Sequence, residues 1–388
     1  MRVTERTAII PPDERGRPVM PSFITYIHPT EPWLVHCWGR SDYSDAYDDF
    51  VLQFSRDNGR TWTEPVLHRH SETRQGGRMR YGEPAALFDP NIGRLLVLWD
   101  YIWYPQDQLD VDAHYHLLLE TFDPLSGAWT PLQRVTDEPV AVSFCQPIKT
   151  RSGRIVVGVQ RHYLDESGKP LHYRGCWSPA GIVQFLLGDV QADGSIRWRL
   201  SQPVVPDLER TSRGFYEPAV VELRDGRLAA VLRGDNSMFP DKPGYKWLTI
   251  SEDGGETWSE AVPLPCDMGE PIESSSTGSG IFRSITDGKV YWLGNLCIDG
   301  VRPNGNWPRT PLVIAEVQEE PFALRRDSLF VIDRQREGEP PEVQHSNFRF
   351  YQDRETGELV ILLTRFGERS AERWQDANYY RYRVPLHD

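Results

Sequence analysis

The chain has no apolar run approaching the roughly 18 residues that cross a bilayer as a helix. It also has little sequence with a sustained 3.6-residue apolar period, which argues against long amphipathic helices. Its first residues, MRVTERTAIIPPDERGRP, lack the apolar stretch of a secretory signal. A cytoplasmic protein is therefore expected, or a secreted one already stripped of its leader. Positive charge is in short supply, with 43 Lys and Arg against 56 Asp and Glu and a net charge of −13. That balance disfavours nucleic-acid and anionic-membrane surfaces as partners, but a local arginine cluster can still grip a small anion. The five cysteines (Cys37, Cys145, Cys176, Cys266 and Cys297) are odd in number and unclustered, so a disulfide framework is not expected and reduced thiols are.

Turn formers and aromatics are plentiful: 31 Gly, 31 Pro, 13 Trp and 16 Tyr. Such a mixture suits many short strands. SRDNGRTW at 55–62 returns as SEDGGETW at 251–258, each time after a short alternating apolar run, FVLQF and KWLTI. Asp57 and Asp253 can accept bonds from their own turn, Gly59 and Gly255 can supply positive φ, and Trp62 and Trp258 can anchor the turn from below. A second punctuation recurs in IGRLLVLWD, SGRIVVGVQR, DGRLAAVLR, DGKVYWLGN and TGELVILLTR, whose turn glycines (93, 153, 226, 288 and 357) stand 60, 73, 62 and 69 residues apart. Units of that length, each with about four strands, are propeller blades. With the unit 24–67 they make six. The last unit ends one strand short after NYYRYRV, and RTAII near the N-terminus can supply the strand. The expectation is an all-β, six-bladed β-propeller over 1–388 as a single domain, its ring closed by the N-terminal strand.

In a blade the innermost strand begins, and the second strand ends, at the same mouth of the channel. Counting from the turn glycines places Asp100, Arg161, Arg233, Asn295 and Arg365 there, with Arg40 by analogy. Counting backwards adds Glu83, Gln146, Glu217, Ser279 and the segment 345–347 with His345. A mouth rich in arginine and carboxylate suits an anionic, hydroxyl-rich ligand. The plain alternative for each residue is an ion pair between blades.

SRDNGRTW and SEDGGETW resemble the Asp-box of the sialidase (neuraminidase, BNR-repeat) superfamily, a resemblance that runs through the repeat along the whole chain. It implies a six-bladed propeller, while the motif itself is poor evidence for activity. It also implies an arginine triad for a substrate carboxylate, a Tyr–Glu nucleophile pair and an Asp acid/base. Glu217 and Arg233 match the family's Glu and second Arg in type and spacing. Asp45 matches the acid/base, with Asp42 next. Three places depart from the pattern. Met20 stands where the first Arg belongs, with Arg17 a poor substitute, His345-Ser346 replaces Tyr-Ser, and no third Arg stands out in blade five.

A histidine there is a base or acid near neutral pH. The expected function is a sialidase-like glycosidase acting on a terminal, acidic sugar. Asp45 serves as acid/base, Glu217 (with Tyr216) as base or nucleophile partner, and Arg161, Arg233 and Arg365 as the clamp. The alternatives are a polysaccharide lyase using His345 or His162 with Tyr216, and a propeller that only binds glycans or proteins. No cofactor is demanded. His68/His70 and His114/His116 could begin a metal site, but paired surface histidines are the commoner reading. The stretch 101–116 reads as an aromatic, acidic insertion, GYKW at 244–247 as a strand, and ESSSTGSG at 273–280 as a loop at the channel mouth.

Overall fold

A computed structural model describes residues 1–108, 114–144, 146–298 and 300–387. Cys145 and residues 109–113 of the aromatic insertion lie outside the described residues. The chain is all-β: among the described residues the only helical segments are two single 3-10 turns, Tyr173–Gly175 and Arg326–Ser328. Among the described residues the strands form six antiparallel sheets, most of them four-stranded and taken in chain order, in a β-propeller arrangement.

The chain divides into two compact units, Met1–Val142 with Asn347–Asp388, and Ser143–Ser346. The first unit holds three sheets. One runs through Val19–Tyr26, Leu34–Tyr43, Ala46–Ser55 and Val66–Arg69. The next is built on the long hairpin Arg94–Pro105 and His114–Asp123, which absorbs the aromatic insertion as strand: Tyr81 pairs with Tyr101 and Tyr115 with Ile102. The third contains both chain ends, with Glu5–Ile10 lying beside Tyr379–Val384 so that Thr7 faces Arg381 and Ile10 faces Tyr379. The core of this unit gathers around Trp99, whose ring meets Phe50 edge-on at 5.1 Å.

The second unit holds the other three sheets, opened by Ile148–Lys149, Tyr216–Glu222 and Ser279–Arg283. Of their second strands, Val290–Asn295 is buried along its whole length, as a strand covered on both faces must be, while Ile155–His162 and Leu228–Arg233 emerge at their last residues. The repeated turn glycines all take positive φ, from 63° at Gly93 to 95° at Gly226. Only glycine adopts that conformation without strain, which explains the punctuation in the sequence.

The twin phrases build the same turn twice. Ser55 Oγ accepts from the Gly59 N–H at 2.8 Å, Asp57 Oδ1 from the Thr61 N–H at 2.8 Å, and Trp62 Nε1 donates to the Gly59 carbonyl at 3.1 Å. Ser251, Asp253, Thr257 and Trp258 repeat these bonds at 2.8, 3.0 and 3.1 Å. Trp258 then stacks on Phe185 of the preceding sheet, centroids 3.9 Å apart. The turn is a device that nails one sheet to the next.

Candidate active site

The second unit concentrates its charge where the Tyr216–Glu222 strand begins. Tyr216 pairs with Arg233, but the next pair is Ala219 with Val231, so two residues on one strand face one on the other. At this bulge Glu217 takes φ 47°, a left-handed conformation that costs a non-glycine residue on the order of 1 kcal/mol. Pro218 follows and has no N–H to lose. The Glu217 N–H is satisfied outside the ladder by Gln160 Oε1 at 2.8 Å. Strain here aims a carboxylate. Oε1 accepts from Arg233 Nη1 at 2.5 Å, and Oε2 lies so near Gly278 that a Cβ there would come within 2.8 Å of it. Both partners remain partly exposed, at 13% and 14% of their side-chain surfaces.

Arg233 is held on two further sides. Its Nε donates to Ser276 Oγ at 2.9 Å and its Nη2 to Asn306 Oδ1 at 2.9 Å. A second guanidinium reaches the same amide oxygen, Arg213 Nη1 at 3.3 Å, while Arg213 Nη2 donates to Ser178 Oγ at 3.2 Å. Arg213 lies under Trp177, 4.4 Å from the ring centroid, and Trp177 is 69% exposed. Burial, and Arg233 nearby, weaken the hold of Arg213 on its proton. Two guanidinium groups thus converge on one neutral acceptor beside an exposed indole, with Glu217 2.5 Å from Arg233 and Asp235 3.9 Å from Arg213.

Behind Arg233 lies Lys246, its strand neighbour, fully buried. Its ammonium donates to the Ser275 carbonyl at 3.2 Å, to Thr277 Oγ1 at 2.8 Å and to the Thr277 carbonyl. Burial first, then repulsion by Arg233, push its pKa down to about 7. The lysine thus fixes the 273–280 loop, which presents Ser276 to Arg233 and Gly278 to Glu217. Tyr216, an expected proton-transfer residue, has its hydroxyl committed to the Pro179 carbonyl at 2.5 Å, and burial raises its pKa.

The remaining expected residues of this unit are more dispersed. Arg161 and His162 end the Ile155–His162 strand, and burial lowers the His162 pKa, with His172 adding to the effect. Gln146 is exposed just before Ile148–Lys149, whereas Ser279 and Asn295 are buried. Asn295 donates to the Pro311 carbonyl at 2.9 Å. His345 is wholly buried, its Nε2 3.6 Å from Asp333 Oδ2. Its N–H donates to the carbonyl of Arg309, whose Nη1 reaches Gln344 and Ser346.

In the first unit Glu83 accepts from the Tyr47 hydroxyl at 3.0 Å and from Arg349 Nη2 at 3.1 Å. Asp100 is buried, accepts the Val142 N–H at 2.8 Å, and has its pKa pushed well up by burial. Asp45 sits exposed at a hairpin tip with φ 59°. Asp42, also expected there, has its pKa raised by burial and by Asp48. Arg40 donates to the carbonyls of Pro11 and Arg17, Arg365 pairs with Glu368 at 3.2 Å, and Met20 is buried in the core. His68 faces Glu120 and His70 faces Asp49, each at 2.6 Å. Among the described residues no group of three His, Cys, Asp or Glu is placed to hold a metal.

Arg213, Asn306 and Lys246 were not singled out from the sequence. Arg213 was within reach, four residues before Glu217 in SRGFYEP. Asn306 and the role of Lys246 depend on loops far along the chain and leave no local signal.

No family model and no curated protein matches this sequence. Solved structures do resemble it. A protein of unknown function from Dyadobacter fermentans superposes with a TM-score of 0.67 at 15% identity, over 100% of this chain and 99% of that one. The leech intramolecular trans-sialidase, complexed with 2,7-anhydro-Neu5Ac, gives 0.64 at 14% identity, over 98% of this chain and 70% of its own. An α-L-arabinanase from Penicillium chrysogenum, complexed with arabinobiose, gives 0.55 at 14%, over 100% and 99%. At such identities the likeness is one of fold.

Proposed function

We propose that the chain is a sialidase-like glycoside hydrolase that removes a terminal, acidic sugar, working on a single six-bladed ring closed by its N-terminal strand. The observation that carries this reading is the Glu217–Arg233–Asn306–Arg213 constellation. A strained, partly exposed carboxylate is locked to one guanidinium, and a second guanidinium shares that guanidinium's amide anchor. Arg233 and Arg213, the latter 3.9 Å from Asp235 Oδ2, are the guanidinium groups placed to meet an anionic ligand despite the negative chain. Trp177 offers its exposed face to a sugar ring. The sugar-binding fold neighbours support a carbohydrate ligand.

Glu217 is the base. Fixed by Arg233 and by its own backbone strain, the carboxylate stays in place to accept a proton from the attacking group, and the arginines stabilise negative charge on the substrate. The buried Tyr216 hydroxyl, engaged with Pro179, shapes the wall. The acid role that the resemblance gives Asp45 is tested separately, by Asp45→Asn.

The experiment is a screen of acidic glycosides for newly released reducing sugar, followed by variants on the substrate found. Glu217→Gln keeps the fold and ligand binding and loses roughly 10²–10⁴-fold in turnover, whereas Arg233→Ala weakens binding first. If His345→Ala abolishes activity and Glu217→Gln does not, the assignment fails. Ultraviolet absorbance from an unsaturated product would make the protein a lyase. Saturable glycan binding without turnover would make it a binding propeller.

A further inference from the structure

The first unit contains a cavity of about 400 Å³ where the sheet holding Leu34–Tyr43 and Ala46–Ser55 meets the sheet that joins the chain ends. Trp38, Trp62 and Tyr351 contribute aromatic walls, and Ile9 and Ile10 of the N-terminal strand close one side. A volume of this size with mainly apolar lining is that of a small-molecule site.

Two buried polar side chains line it. Gln53 is 9% exposed. The indole Nε1 of Trp38 is 3.2 Å from its side-chain oxygen. An indole can only donate, so the atom it faces must be the oxygen, which leaves the Gln53 NH₂ group on the other side. That NH₂ has no partner among the described residues. His36, 3% exposed, shares its Nε2 with the Tyr379 hydroxyl at 3.0 Å, while its Nδ1 has no partner among the described residues. Burial pushes the His36 pKa down to about 3, so the ring is neutral. The Gln53 NH₂ is not sealed from solvent, so a ligand acceptor in the cavity can take the place of water there.

Charge narrows the occupant. Two arginines border the cavity, and both are already engaged. Arg40 donates to the carbonyls of Pro11 and Arg17, and Arg381 donates to Glu5 at 2.8 Å. Arg381 is neutralised by Glu5, and Arg40 spends its Nη1 on the two carbonyls and lies over the Trp38 ring, 5.0 Å from its centroid, an arrangement that favours a neutral ligand stacking beside it. We propose that this cavity is a binding site for a neutral, planar aromatic small molecule that presents a carbonyl oxygen to the Gln53 NH₂ group. The site is independent of the reading given to Glu217. Because Ile9 and Ile10 form one wall, a bound ligand also holds the N-terminal strand against its sheet.

The probe is coumarin, a neutral bicycle with one carbonyl acceptor, titrated into the full chain and followed by tryptophan fluorescence and saturation-transfer NMR. Saturable one-to-one binding is expected with Kd on the order of 1 mM or below, together with a rise in Tm. Gln53→Met weakens it roughly 3- to 10-fold through loss of the hydrogen bond. Ile9→Trp, a change on a half-open strand, fills the cavity and abolishes it. Coumarin-3-carboxylate binds more weakly than coumarin. Absence of saturable binding to the wild type overturns the proposal. So does binding unchanged in both folded variants, or tighter binding of the carboxylate.

Discussion

Glu217 and Asp57 show how differently two carboxylates can be used. Glu217 is strained and aimed; Asp57 ties its own turn, accepting from Thr61 at its N–H and at its hydroxyl. Those bonds and one from Ser55 bring the Asp57 pKa down to about 2. A carboxylate whose folded pKa lies below its unfolded value near 3.9 stabilises the fold above that value and stops doing so as pH falls through the folded one. Asp57→Asn therefore lowers Tm at pH 7, and the difference from wild type shrinks between about pH 4 and pH 2. A difference that stays constant over that window would refute the account. Turnover should be untouched. At this scale the sequence was readable where chemistry is local. SRDNGRTW contains every group its turn needs, and Glu217 and Arg233 are joined by a single hairpin. It was unreadable where side chains already have other partners: counting placed Arg365, and analogy Arg40, at the channel mouth but could not show that Glu368 and the carbonyls of Pro11 and Arg17 engage them.

Among the elements, the 273–280 loop depends most on a single residue elsewhere. Lys246, in a strand, holds Ser275 and Thr277, and the loop in turn holds Arg233 and borders Glu217. GYKW reads as an ordinary strand because its alternation is ordinary. Nothing local says that its lysine is buried against carbonyls. The folded pKa of about 7 lies below the unfolded value near 10.4. Between these values the unfolded chain binds more protons, so stability rises with pH across that window. Lys246→Met removes this contribution, and urea midpoints measured from pH 7 to 10 should show a flatter profile than wild type. An equal slope in both proteins would mean that the lysine is not the titrating group. The aromatic, acidic insertion at 101–116 is strand in its described parts, because Tyr101–Trp103 and His114–His116 pair residue by residue.

For the whole molecule, the chain-end sheet is the clearest case of long-range order that could be read from sequence. The last repeat unit lacked a strand, RTAII had nothing to pair with, and Glu5 now stands opposite Arg383. Arg381 and Arg383 add ion pairs to Glu5 at 2.8 and 3.3 Å. Deleting residues 1–12 strips an edge strand and these charges from the sheet and opens the wall formed by Ile9 and Ile10. A drop in Tm of roughly 5 °C or more is expected, with the newly bare edge of Tyr379–Val384 promoting association. An unchanged melting temperature would remove the strand from any structural role.

That same pairing sets a timetable during translation. The Glu5–Ile10 strand leaves the ribosome about 370 residues before its partner at Tyr379–Val384. At 5–20 residues per second, the N-terminal strand waits on the order of 20–70 s for a neighbour. Throughout that wait the nascent chain trails a strand with two open edges, and the charges of Glu5 and Arg6 disfavour its pairing with the wrong companion.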